Sequence, residues 1–198
     1  MRIGIDLDNT IICYDEALMD LGSLMGVPRK HASTKQEIKK FLQKNGREND
    51  WIILQGQIYG PGLELANPYP GFLEFAKKAH CSGHTLFIIS HKTKTPFKGP
   101  RYRLRTRARK WLKKYKIYEH LIDSQKVYLE DTIEEKIEKI GKTGCDVFID
   151  DLPAILNHSK FPSTTRGILF DPQRQNKKFE RSFSSWSDVD FILKELDG

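Results

Sequence analysis

Cysteine is scarce in this chain: three in 198 residues, at positions 13, 81 and 145. An odd number so widely spaced argues against a disulfide framework and against a thiolate metal centre. Cys13, Cys81 and Cys145 read instead as small buried or half-buried fillers in a reducing compartment. The six histidines show no ligand spacing with cysteine or with one another, so zinc is not expected. Long apolar runs are also missing. The longest, such as Leu86 to Ile89, fall far short of the roughly 18 residues that cross a bilayer, and Asp6 and Asp8 stand where an export signal needs apolar side chains. The expectation is a cytoplasmic protein with no membrane partner. Gly60-Pro61-Gly62 lacks the Lys-Ser/Thr ending of a P-loop and reads as a hinge or turn. There is no internal repeat and no low-complexity segment.

Acidic residues are absent from one stretch. Between Lys92 and Lys116 there are twelve Lys and Arg and not a single Asp or Glu; the rest of the chain holds 21 basic residues against 26 acidic. The net charge of +7 is therefore the property of one segment, and such a local field favours an anionic partner. Apolar residues at 38% and charged residues at 30% exclude wholesale disorder.

Arg2 to Ile5 is a short hydrophobic strand that runs into Asp6-Leu7-Asp8-Asn9-Thr10. From Tyr14 to about Leu65 three helical stripes follow: Ala17, Leu18, Leu21 and Met25; Ile38, Phe41 and Leu42 behind a Thr34/Glu37 capping box; and Trp51, Leu54 and Ile58. Beyond Pro68-Tyr69-Pro70-Gly71 the pattern alternates. A helix on Phe72, Phe75, Ala76 and Ala79 precedes a strand at Leu86 to Ile89, and a basic helix with the stripe Leu104, Ala108, Trp111, Leu112 and Tyr115 precedes a strand at Val127 to Leu129. A helix capped by Thr132, with Ile133, Ile137 and Ile140 aligned, leads to a strand at Val147 to Ile149, and a further strand covers Gly167 to Phe170. A closing helix is expected on Val189, Ile192, Leu193 and Leu196. The fold expected from this alternation is α/β, a three-layer Rossmann-like parallel sheet, with residues 1–13 and 66–198 forming the core and 14–65 a small helical insert.

Three strands end in polar side chains: Asp6 with Asp8, Ser90 with His91, and Asp150 with Asp151. A parallel sheet brings such ends to one edge, where ligands of α/β folds bind. Carboxylates gathered there need a cation, and an all-oxygen donor set favours Mg²⁺ together with a phosphorylated substrate. In an extended segment Asp6 and Asp8 project to the same side, with Leu7 turned away.

This constellation resembles the haloacid dehalogenase superfamily. Its Asp-x-Asp-x-Thr motif stands as Asp6-Leu7-Asp8-Asn9-Thr10, its strand-end Ser or Thr as Ser90, and its paired acids as Asp150-Asp151. The resemblance implies that Asp6 is the nucleophile that becomes an aspartyl phosphate and that Asp8 is the general acid and base. It implies that Mg²⁺ is held by Asp6, Asp150 and the backbone carbonyl of Asp8, with Asp151 a further ligand or an acid behind it. Ser90 would bind a phosphoryl oxygen. Of three candidates for the superfamily's lysine, Lys136 is preferred to Lys139 and Lys142. The insert at 14–65 lies where the superfamily places a small cap.

Asn9, Thr10, His91, Lys92, Arg101 and Arg103 are the expected substrate contacts. The expected activity is a Mg²⁺-dependent phosphomonoester hydrolase acting on a small phosphorylated metabolite, a sugar phosphate or a nucleotide. The alternatives are a phosphatase of nucleic-acid ends, which would use the Lys92–Lys116 segment on nucleic acid, and a non-catalytic phosphate- or nucleic-acid-binding protein of the same fold. Intact Asp6 and Asp8 weigh against the last.

Overall fold

The computed structural model describes residues 1–31, 34–188 and 192–194. The expected closing helix falls largely on residues outside these. In chain order, β1 (Arg2–Ile5) and β2 (Ile12–Cys13) are followed by α1 (Asp15–Leu24), α2 (Lys35–Lys44) and α3 (Glu48–Tyr59). Then come β3 (Asn67–Pro68), α4 (Phe72–Cys81), β4 (Thr85–His91), α5 (Leu104–Lys114), α6 (Ile117–His120) and β5 (Val127–Glu130). The chain continues with α7 (Ile133–Thr143), β6 (Val147–Asp150), α8 (Pro153–Leu156), β7 (Arg166–Phe170) and β8 (Ser182–Phe183).

Six strands form one sheet in the order β5-β4-β1-β6-β7-β8, and every neighbouring pair is parallel. Strand β1 is thus central: Ile5 lies beside Ile88 on one side and Ile149 on the other. Residues of both parities are buried along β4, Leu86 and Ile88 as well as Phe87 and Ile89, which is the signature of a parallel sheet covered on both faces. On one face Phe87, Ile89 and Phe148 pack with Ile140, Ile155, Leu156 and Leu169. The fold is the expected three-layer α/β arrangement. Among the described residues no helix is long and apolar enough to cross a membrane.

The chain divides into two compact units. One comprises Met1–Ile12, Pro68–Lys92 and Lys113–Gly198; the other comprises Cys13–Asn67 and Thr93–Leu112. The second unit holds the three helices of the insert, with Ala17, Leu18, Ile38, Leu42, Trp51, Leu54 and Ile58 buried, and it also takes in the loop and most of the helix of the basic segment. Gly60 shows why the loop belongs there: a Cβ at this position would stand 2.6 Å from the Tyr102 ring, so only glycine lets the loop approach α3. The Trp111 indole then donates to the Ala66 carbonyl at 2.9 Å, Lys98 donates to Asn49, and Arg107 pairs with Glu64 at 3.3 Å.

Two local readings need correction. Cys81 is exposed rather than buried, while Cys13 is half-buried and Cys145 buried; Cys81 closes α4, where the apolar stripe has already ended at Ala79. Ile133 is exposed at 37%, because it is the first residue of α7 and projects beyond the sheet, leaving Ile137 and Ile140 to pack.

Candidate active site

Parallel register delivers the candidate groups to one edge. Asp6 follows β1 directly, and its amide donates to the Ile149 carbonyl at 2.9 Å, extending the ladder by one residue. Asp150 ends β6, and Ser90 lies at the end of β4 beside Leu129. Asp6, Ser90 and Asp150 are all buried. Past Asp6 the chain turns sharply. Asn9 takes a left-handed conformation at φ 63°, which asparagine tolerates better than most side chains, and the amides of Ile11 and Ile12 both donate to the Leu7 carbonyl.

Lys136 comes from the first turn of α7. Thr132 caps that helix in a full capping box with Glu135, which fixes where the helix starts and hence where the lysine stem points. Its ammonium lies 2.7 Å from Asp6 Oδ1 and 2.6 Å from Asp150 Oδ2, and 5.5 Å from the centroid of the Phe148 ring. Lys139 turns instead to Glu130 and the Tyr128 ring, and Lys142 to Glu138 on the surface. Burial alone would lower the Lys136 pKa, but the charges of Asp150 and Asp6 hold it well above its ordinary value. Asp150 shows the converse. Burial raises its pKa to about 6, Lys136 opposes the rise and the like charge of Asp6 adds to it, because one ammonium cannot neutralise two carboxylates.

Asp6, Asp150 and Asp151 each offer an oxygen, all within 4.8 Å of one another. Three hard oxygen donors sharing a surplus of negative charge fit a divalent cation such as Mg²⁺. The Asp8 carboxylate is not among the three. It is held by Lys92, whose ammonium lies 2.8 and 2.5 Å from its two oxygens. Lys92 is itself buried, and its amide donates to the Glu130 carbonyl at the end of β5. Asp6 and Asp8 therefore answer to different lysines. The Thr10 hydroxyl is buried, and among the described residues it has no hydrogen-bond partner. His91 projects from the strand face opposite to Ser90, and its Nε2–H donates to the Asp131 carbonyl at 3.0 Å. Arg101 and Arg103 are exposed residues of the second unit.

No family model matches the chain. A protein of Oceanobacillus iheyensis named "Putative nucleotidase OB0422" is 25% identical over 204 residues, an alignment that covers 99% of this chain and all of the relative. A haloacid dehalogenase-like hydrolase of Streptococcus pneumoniae, SP0104, superposes with a TM-score of 0.65 at 13% identity, covering 98% of this chain and 97% of that one. The chain has the haloacid dehalogenase fold. A HAD family hydrolase of Deinococcus radiodurans, solved with bound phosphate and sodium, gives a TM-score of 0.64 at 12% identity over 99% of this chain and 96% of its own. A predicted phosphoglycolate phosphatase of Haemophilus somnus gives 0.58 at 16% identity, covering 96% of each.

Within this haloacid dehalogenase fold, the structure brings together Asp6, Asp150, Asp151 and Lys136, and sets Asp8 against Lys92. Sequence reasoning gave Lys92 only as a substrate contact. Its pairing with Asp8 joins positions 84 residues apart; the one available signal was a lysine two residues beyond Ser90, on the same strand face.

Proposed function

We propose that the chain is a Mg²⁺-dependent phosphomonoester hydrolase that works through an aspartyl phosphate on Asp6. The observation that carries this reading is the buried Lys136 ammonium between Asp6 and Asp150, with Asp151 completing a metal-ligand set and Asp8 held separately by Lys92. Asp6, Asp150, Asp151 and the Asp8 carbonyl would hold the metal, which when bound screens the negative charge of the phosphoryl group.

Each residue then has a defined task. An Asp6 oxygen attacks phosphorus, the bond from phosphorus to the leaving oxygen breaks, and Asp8 gives that oxygen a proton. In the second half Asp8 takes a proton from water, the water oxygen attacks phosphorus, and the acyl phosphate bond breaks to release inorganic phosphate and the Asp6 carboxylate. Lys136 keeps Asp6 turned toward the reacting centre and balances its charge. Lys92 fixes the direction of the ionised Asp8, the form that takes the proton from water, by donating to both of its oxygens; in the protonated form that starts the cycle, one oxygen carries the proton for the leaving group and only the other accepts from Lys92. Ser90 and Thr10 are the hydroxyls proposed to donate to phosphoryl oxygens, and Asn9 lines the approach; His91, bonded to the Asp131 carbonyl on the other strand face, is given no substrate contact.

The substrate class proposed is a small phosphorylated metabolite, with nucleotides favoured by the full-length similarity to a relative named as a nucleotidase. Residues 14–65 are proposed to act as the lid that selects it. A phosphatase of nucleic-acid ends is the second reading, favoured by the basic segment.

Asp6→Asn is expected to reduce kcat on phosphorylated nucleosides or sugars below about one thousandth of the native value while leaving the fold intact. Quenching the native enzyme during turnover is expected to trap a hydroxylamine-sensitive phosphoenzyme on Asp6. Trapping on another residue, or full turnover in excess chelator, overturns the reading.

A further inference from the structure

The loop that presents Asp6 and Asp8 is held from beneath by a part of the chain almost 180 residues away. The Trp186 indole N–H donates to the Thr10 carbonyl at 2.9 Å, in a contact with no solvent access on the tryptophan. The ring is fixed on several sides: its centroid lies 4.6 Å from Phe75, 4.9 Å from Phe183, 5.3 Å from Phe72 and 5.6 Å from Phe170. The segment that carries it is seated as well. β8 pairs with β7, placing Phe183 beside Phe170, and the chain then crosses Gly71 so closely that a Cβ there would stand 2.4 Å from the Trp186 carbonyl carbon and the Ser187 nitrogen. Gly71 also has φ +85°, so the seat excludes other residues twice over.

We propose that Trp186 is a positioning residue for the Asp6–Ile12 loop: the carboxyl-terminal segment acts as a buttress that sets the loop's height at the sheet edge. The loop needs such a support. Its own hydrogen bonds, Asn9 N–H to the Ile12 carbonyl and the Ile11 and Ile12 amides to Leu7, define its shape but not its place, and Asn9 is in a conformation that persists only where the surroundings impose it. Its leading end is tied through Asp6 to the Ile149 carbonyl and Lys136 and through Asp8 to Lys92; at Thr10 and Ile11 two further bonds hold it from outside. The Tyr69 amide donates to the Ile11 carbonyl at 2.8 Å, and the indole donates to Thr10. Among the described residues the Thr10 hydroxyl has no partner, and it is the carbonyl that Trp186 holds. A displacement of about 1 Å at a reacting group is enough to slow chemistry far more than binding.

The kinetic arm of the test rests on the phosphatase reading; the exchange arm does not. Trp186→Phe keeps one aromatic ring in the cluster and removes the donor, leaving a small void where the second ring stood. Amide hydrogen exchange at Asn9, Ile11 and Ile12 is expected to accelerate about tenfold, as suits a buried carbonyl left without a partner, while the amides of β4 and β6 keep their native rates. Turnover of a phosphomonoester is expected to lose about tenfold in kcat with KM within about twofold. Gly71→Ala, which displaces the same segment by another route, is expected to give the same loop-local acceleration. Unchanged exchange in the loop for either variant, or acceleration spread equally over the sheet, overturns the proposal. If the native chain hydrolyses no phosphomonoester, the phosphatase reading fails and the exchange rates alone decide this one.

Discussion

The two units of this protein use charge in opposite ways. The unit built on the sheet is nearly neutral, with 18 Lys and Arg against 19 Asp and Glu, while the unit of the helical insert and the basic loop carries 15 against 7 and so a net +8. In the first, the decisive charges are buried and fixed: Lys136 is 2% exposed and Lys92 3%, and each is committed to aspartates. In the second, Lys98, Arg101, Arg103, Arg109 and Lys110 are exposed, where water and salt screen them. A buried charge is held at one place and is costly to leave unpaired, whereas an exposed cluster acts through its sum and tolerates the loss of any member.

The sharpest way to break the comparison is Lys136→Met. It leaves Asp6 and Asp150 facing each other without an ammonium, and loss of one partner from a buried pair costs about 3–5 kcal/mol. Thermal unfolding of the metal-free variant is expected to show that loss, and turnover is expected to vanish. If Mg²⁺ restores the midpoint but not the activity, the lysine is needed for Asp6 as well as for charge balance.

A smaller effect comes from pH. The Asp150 pKa, raised to about 6 by burial and by Asp6, lies above the ordinary carboxylate value of about 4 in the unfolded chain. Between these values the folded protein binds more protons, so the contribution of Asp150 to stability is greatest below about pH 4, declines as pH rises and levels off above about 6. Midpoints of the metal-free native chain minus those of Asp150→Asn are expected to fall across that window. Mg²⁺ requires the carboxylate, so its stabilising effect is expected to grow with pH over the same range, as a titration at pH 5 and pH 7.5 would record.

The smallest effects are expected in the second unit. Arg101→Ala and Arg103→Ala should raise KM for an anionic substrate by a few fold, with kcat kept. The pair Arg109→Ala and Lys110→Ala should move the unfolding midpoint by no more than about 1–2 °C and leave the hydrolysis of small substrates unchanged. A loss of oligonucleotide affinity in that pair, with a salt slope lower by about one for each contact removed, would favour the reading on nucleic-acid ends.

Much of the sheet unit is legible in the sequence because β1, β4 and β6 are buried on both faces and read as plain apolar runs; β5 and β7, each half-buried at two positions, still stand out by their apolar residues. Strand β8 does not. It is two residues long, Ser182 and Phe183, at the end of a polar stretch, and only its pairing with β7 makes it a strand. At the site, strand-end acids are visible because parallel topology implies a common edge. The preference for Lys136 over Lys139 and Lys142 rests on its place near the Thr132-capped start of α7, and the structure puts its ammonium, and neither of the others, on Asp6 and Asp150. The Lys92–Asp8 pair and the Trp186 buttress depend on loop geometry over long separations, and no local pattern announces either. The attachment of the basic loop to the insert is hidden for a similar reason: Gly60 is a notch only once Tyr102 is known to fill it.

The central place of β1 has a consequence for how the protein comes into being. Its neighbours, β4 and β6, begin at Thr85 and Val147, so β1 waits during synthesis for partners that emerge much later. The tie from Trp186 to Thr10 spans nearly the whole chain. Loops of that length must close before their contacts repay the lost entropy, which makes such topologies slow to fold. Asp6 thus precedes β4, β6 and Trp186 in the chain, and it acquires its surroundings only after all three have been made. Until then a growing chain carries Asp6 without Lys136, Asp150 or the Trp186 tie around it.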